Sequence, residues 1–60
     1  MPERYTIIIE TENDAFAQSP ASEVARILRA MADRMEYHGI LPVPMDTNGN
    51  TCGSVTTEPL

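Results

Sequence analysis

Lysine is missing from this chain. Its 60 residues carry four arginines against nine acids, a formal net charge of −5. Such a charge repels nucleic acid and anionic membrane surfaces, so direct binding to either is not expected. It suits a basic partner, or it only keeps a small domain in solution. Cysteine is nearly missing too. Cys52 alone excludes an internal disulfide, which fits a reducing cytoplasm. No apolar run reaches the roughly 20 residues that span a bilayer. Met1 to Arg4 leads into a strand-like run and not into a signal peptide. Sixty residues allow one domain, 1–60. A chain this short buries only about 60% of its unfolded surface. Its core rarely supplies more than about 3–5 kcal/mol without help from a disulfide, a metal or a partner.

What is present is organised around Ser19 to Gly39. Pro20 suits a first helical position, and Ser19 before it suits a cap. Val24, Ile27, Leu28, Met31 and Met35 recur at three- and four-residue spacing, which sets them on one helix face. Arg26, Arg29, Asp33 and Glu36 fall on the other. Glu23–Arg26 and Arg29–Asp33 are spaced to pair. His38 sits in the last turn as a dipole partner, and Gly39 stops the helix.

Arg4 to Glu12 reads as a first strand. Tyr5, Ile7 and Ile9 would face the helix, leaving Thr6, Ile8, Glu10 and Glu12 outward. Asn13 or Asp14 can cap a short helical turn through Ala15, Phe16 and Ala17, with Phe16 closing the end of the core. Ile40 to Thr47 reads as a second strand. Pro42 and Pro44 cannot donate to a ladder, which makes it an edge strand. Asn48-Gly49 suits a type I′ two-residue hairpin turn. Asn50 to Thr57 is then the third strand, with Met45 opposite Cys52, Gly53 opposite Pro44 at a bulge, and Glu58 to Leu60 frayed. The expected fold is α+β in β-α-β-β order. A three-stranded antiparallel sheet, order 1-3-2, carries the long helix on one face.

The chemical inventory is thin. A Cys52–His38 nucleophile would need an exposed thiolate, and Cys52 falls in a strand where a small apolar residue is wanted. Asp46-Thr47-Asn48-Gly49-Asn50 has alternating oxygen side chains like the start of a calcium loop. Its glycine is misplaced, and Thr57 stands where the loop needs glutamate. No phosphate loop, zinc spacing or basic patch occurs, so neither catalysis nor a cofactor is expected.

The blocks Thr11-Glu12-Asn13-Asp14-Ala15-Phe16, Glu23-Val24-Ala25-Arg26-Ile27-Leu28 and Asp46-Thr47-Asn48-Gly49-Asn50-Thr51-Cys52-Gly53 resemble a family of short proteins carried by phages and other mobile elements. In size and charge the chain also resembles small phage-encoded anti-CRISPR inhibitors, of the DNA-mimic kind that acts on a type I-C system. That resemblance implies an acidic protein that occupies the DNA-binding surface of a host Cascade complex, on its large subunit, in the bacterial cytoplasm. It would act as a monomer or weak homodimer. The candidate contacts are Glu10, Glu12, Asp14, Asp33, Glu36 and Asp46. The competing expectation is a small adaptor of a mobile element whose acidity serves only solubility.

Overall fold

In a computed structural model, which describes residues 2–60, two parts are joined end to end. One is a two-stranded antiparallel ribbon, β1 (Glu3–Ile9) with β2 (Gly53–Pro59). The other is a helix, α1 (Pro20–His38), with a single 3-10 turn, Asp14–Phe16, against it. The molecule measures 40 × 21 × 17 Å.

The helix follows its sequence signals at both ends but one. Pro20 opens it, and Gly39 closes it in the left-handed region at φ 70°, its N–H donating to the Met35 carbonyl at 2.8 Å. The Ser19 side chain does not cap the backbone; its hydroxyl donates to Ser22 Oγ at 2.8 Å. The short turn is capped as expected, by Asn13, whose Oδ1 accepts from the Ala15 N–H.

The core lies between the helix and its turn. Phe16, Ile27, Met31 and Cys52 are buried together, with Ile9, Ala15, Val24, Leu41 and Val55 packed around them. The buried stripe of α1 is therefore Glu23, Ile27 and Met31, four residues apart. Leu28, on the apolar face that the spacing marks, is 43% exposed. It lies one residue, about 100°, around the helix from Ile27. The apolar face marked by the spacing is wider than the buried stripe, because no sheet lies across the helix to cover Leu28.

That sheet differs from the expectation in its number of strands. It has two strands and not three; β1 pairs antiparallel with β2, which is the expected third strand, so that neighbour relation is as expected. Residues 40–47 form no strand, and only Met45 bridges to Thr51. The prolines explain why. The Cys52 N–H donates to the Pro44 carbonyl at 3.0 Å, so Pro44 turns its backbone toward the would-be third strand. Pro42, two residues earlier, shares that side. The missing donors thus fall on the side the hairpin needs, and the Cys52 carbonyl takes its hydrogen from Glu10 instead, at 2.7 Å.

The turn differs as well. No residue except Gly39 and Gly49 has positive φ among the described residues, which rules out a type I′ turn at Asn48-Gly49. Gly49 N–H donates to the Asp46 carbonyl, Asp46 pairs with Asn50, and Gly49 alone is left-handed at φ 83°. This is a three-residue loop with a glycine bulge, and it sets Met45 opposite Thr51, not Cys52. Gly53 is spoken for by close approach: it faces Ile9, not Pro44, and a Cβ there would overlap the Ile8 carbonyl oxygen.

Finally, the tail does not fray. Glu58 pairs with Arg4, Pro59 with Glu3, and the Leu60 N–H donates to the Pro2 carbonyl. The ribbon runs past the core, and only Ile9 and Val55 reach it. Tyr5, Ile7 and Ile8 stay 40–50% exposed.

Candidate functional site

Two of the nine acids are buried, and both are structural. Asp46 is 4% exposed. Its Oδ1 accepts from the backbone N–H groups of Asn48 and Asn50 at 2.9 and 3.0 Å, and its Oδ2 accepts from Asn13 Nδ2 at 2.7 Å. The carboxylate thus builds the loop that follows it and ties that loop to the turn before the helix. A calcium-like reading of residues 46–50 has no free oxygen at Asp46 to use. Nor does Asp46, one of the six expected contact residues, present a carboxylate to a partner.

Glu23 does the same from the helix. Both its oxygens take the Arg26 guanidinium, Oε1 from Nε at 2.9 Å and Oε2 from Nη2 at 2.8 Å. Oε2 also accepts the Thr47 N–H at 2.9 Å, and Arg26 reaches on to the Met45 carbonyl at 3.2 Å. The Arg26 hydrogen bonds hold the Glu23 carboxyl below the usual carboxylate range; burial opposes the shift and the Thr47 N–H adds to it. The sequence signals Glu23–Arg26 as a surface pair, but not its reach of 24 residues to Thr47. The Asn13–Asp46 link, spanning 33 residues, has no signal in the spacing either.

Among the described residues Glu23–Arg26 is the one ion pair. The expected Arg29–Asp33 pair does not form. Asp33 and Glu36 stand exposed on α1, about 120° and 180° around from the buried Ile27. Glu10, Glu12 and Asp14 are exposed along the segment that leaves β1 and enters the 3-10 turn. The structure therefore divides the six expected contact residues. Three follow one another at two-residue spacing after β1, two lie on the outward face of α1, and Asp46 is inside.

The nucleophile pair finds no support. Cys52 lies in the core against Ile27 and Phe16, and burial, with the Asp46 charge beside it, pushes its thiol up from the ordinary range. His38 is exposed at the end of α1. A shallow cavity of about 160 Å³ opens between α1 and residues 42–46, beside Arg26 and Arg34. It is smaller than the roughly 300–1,000 Å³ that hold a drug-sized ligand. No three His, Cys, Asp or Glu among the described residues are grouped to hold a metal ion. No helix among them is long and apolar enough to cross a membrane.

Fold and surface together define a small α+β protein whose exposed surface carries more carboxylates than arginines. Comparison with protein-family models, with curated proteins and with solved structures gave no match.

Proposed function

We propose that this chain is a non-catalytic inhibitor that sets a row of carboxylates against a basic, nucleic-acid-binding protein. The observation that carries the reading is the row Glu10, Glu12 and Asp14. All three are exposed and none has a cationic partner among the described residues, while Arg26 is committed to Glu23. Residues two apart on extended chain are at most about 7 Å apart. That is close to the separation of successive phosphates on one strand of a duplex, which advance about 3.4 Å per step along the axis while winding around it. A groove built for phosphates would meet such a row with little rearrangement. The resemblance to type I-C anti-CRISPR proteins gives the proposal its specific form: a phage-encoded DNA mimic on the large subunit of Cascade in the host cytoplasm. Asp33 and Glu36 form a second, separate patch in this scheme.

The test is inhibition of DNA binding by a type I-C Cascade complex. Glu10→Lys, Glu12→Lys and Asp14→Lys should each weaken inhibition more than Asp33→Lys or Glu36→Lys. The loss should shrink as salt rises. Melting temperatures should stay near the parent's, since exposed substitutions usually shift stability by less than about 0.5 kcal/mol. Parent-like potency of all three row variants would leave acidity as a solubility device of an adaptor.

A further inference from the structure

The outer edge of β1 is bare, and the ladder shows which groups it offers. Glu10 N–H donates to Cys52 and Leu60 N–H donates to Pro2. Between those bonds the register is unbroken, Arg4 opposite Glu58 through Ile8 opposite Ser54. Even-numbered residues of β1 therefore point their N–H and C=O groups at β2. Glu3, Tyr5, Ile7 and Ile9 point theirs away from it. No third strand takes them, and every β1 residue but Ile9 is exposed.

The two edges of the ribbon are not equivalent. On β2 the outward groups belong to Gly53, Val55, Thr57 and Pro59, and Pro59 has no N–H to give. That is an ordinary way of blunting an edge. β1 has no proline among its outward residues, no bulge, and no charge between Arg4 and Glu10. Such an edge is a template for another strand.

The sequence of β1 also fits itself. If two β1 strands run antiparallel about a twofold axis, the open groups pair only when odd residues face odd residues. With the axis at Ile7, Ile7 meets Ile7, Tyr5 meets Ile9, Thr6 meets Ile8, and Arg4 meets Glu10. The symmetric operation makes the Arg4–Glu10 contact twice. Neither residue makes an ion pair within its own chain among the described residues, although Glu58 stands opposite Arg4 in the ladder. An axis at Thr6 sets Arg4 against Ile8 and Glu3 against Ile9. An axis at Ile8 needs pairing through Glu12, three residues past the end of β1. Only the Ile7 register satisfies charge, apolar match and strand length together.

We propose that β1 pairs with β1 of a second copy of this chain, antiparallel and centred on Ile7, to give a four-stranded sheet in the order β2-β1-β1-β2. Tyr5, Ile7 and Ile9 of both copies then share one face, which covers apolar surface that is open in the single chain. Arg4 and Glu10 pair across the axis on the other face, each a favourable cross-strand pair, so that in the dimer Glu12 and Asp14 are the acids after β1 left open to a basic partner.

Sedimentation at physiological ionic strength across a wide range of concentration reads the state directly. The parent should pass from monomer to dimer. Ile7→Pro removes only an outward N–H, so the ribbon's own ladder survives and the dimer should be lost. Arg4→Glu and Glu10→Arg should each raise the dimer dissociation constant about tenfold by setting like charges opposite. Mixing those two variants should restore a heterodimer, since each then meets its opposite. Circular dichroism confirms that each variant is folded, and a misfolded Ile7→Pro leaves the charge pair to decide. Register is read by cross-linking. Ile7→Cys should form a disulfide dimer, because a hydrogen-bonded pair has its Cα atoms about 5.5 Å apart, within disulfide range. Tyr5→Cys should not, because its two copies lie about 13 Å apart. A parent that is monomeric at every concentration, as it would be if the edge receives a strand of some other protein, overturns the proposal. So does a dimer indifferent to the charge reversals, or one that cross-links at Tyr5→Cys as readily as at Ile7→Cys.

Discussion

The helical end and the ribbon end of this molecule solve the same problem differently. At the helical end Phe16 and Ile27 are each 1% exposed, and two buried carboxylates have every oxygen engaged. At the ribbon end seven pairs of residues make a ladder with water on both faces and an open edge. One end spends its sequence on a core, the other on backbone bonds and surface. A two-stranded ribbon is at best marginal alone. Here it is held by the two side chains that reach the core, Ile9 and Val55. The core is thus concentrated at one end of the chain, with the exposed carboxylates Glu10, Glu12 and Asp14 where the two ends meet.

The substitution that breaks this division most severely is Phe16→Ala. Truncating a buried phenylalanine costs about 3–5 kcal/mol, as much as a domain this size holds. Circular dichroism should show a chain largely unfolded at room temperature. Asp46→Ala comes next. It removes the shared acceptor of the Asn48 and Asn50 N–H groups and the Asn13 amide; these part-buried donors can turn in part to water, so the loss is about 1 kcal/mol for each hydrogen bond. A thermal melt should fall well below the parent's, and the Asn48 and Asn50 amides should lose protection.

Acid gives a graded version of the same test. The Glu23 carboxyl is held below its ordinary range in the folded chain, so the unfolded chain binds the proton first as pH falls. Its contribution is whole above the ordinary glutamate value, about pH 4.3, and is lost as pH drops through the lowered folded value. Melting temperature measured against pH should decline there. In Glu23→Gln the decline should be shallower, from a lower starting point. The smallest effect belongs to Leu28→Ala. With 43% of Leu28 already in water, it should cost less than about 1 kcal/mol, where a buried leucine would cost 2–5. A denaturant midpoint close to the parent's would fix the buried stripe on Ile27 and Met31.

Local signals were easy to read because each acts within a few residues. Pro20 and Gly39 bound the helix, Asn13 caps its turn, and Phe16 is too large and apolar to leave out of so small a core. What the sequence hid depends on partners far along the chain. Pro42 and Pro44 announce missing donors but not the direction they face, and that direction removed a strand. Asn-Gly suits a type I′ turn, but Asp46 two residues before Asn48 offers its own carboxylate to the loop. The three-residue alternative then satisfies more donors. Alternation in β1 marked Tyr5 and Ile7 for burial, yet a strand pattern cannot say whether a helix lies over it. For the same reason the acids were legible as charges, and only the fold sorts Asp46 and Glu23 inward from Glu10, Glu12 and Asp14 outward.

Residue-resolved amide hydrogen exchange, at a dilution where the chain is monomeric, weighs the two ends against each other most directly. The amides of Ile27, Met31 and Asn50 should exchange only as fast as the whole chain unfolds. Thr6 and Ile8, whose N–H groups face β2, should exchange through a cheaper local opening, and Tyr5 and Ile7, which face outward, should be close to unprotected. Protection of Tyr5 and Ile7 equal to that of Ile27 would contradict the account, for it would place the edge of β1 inside the cooperative core.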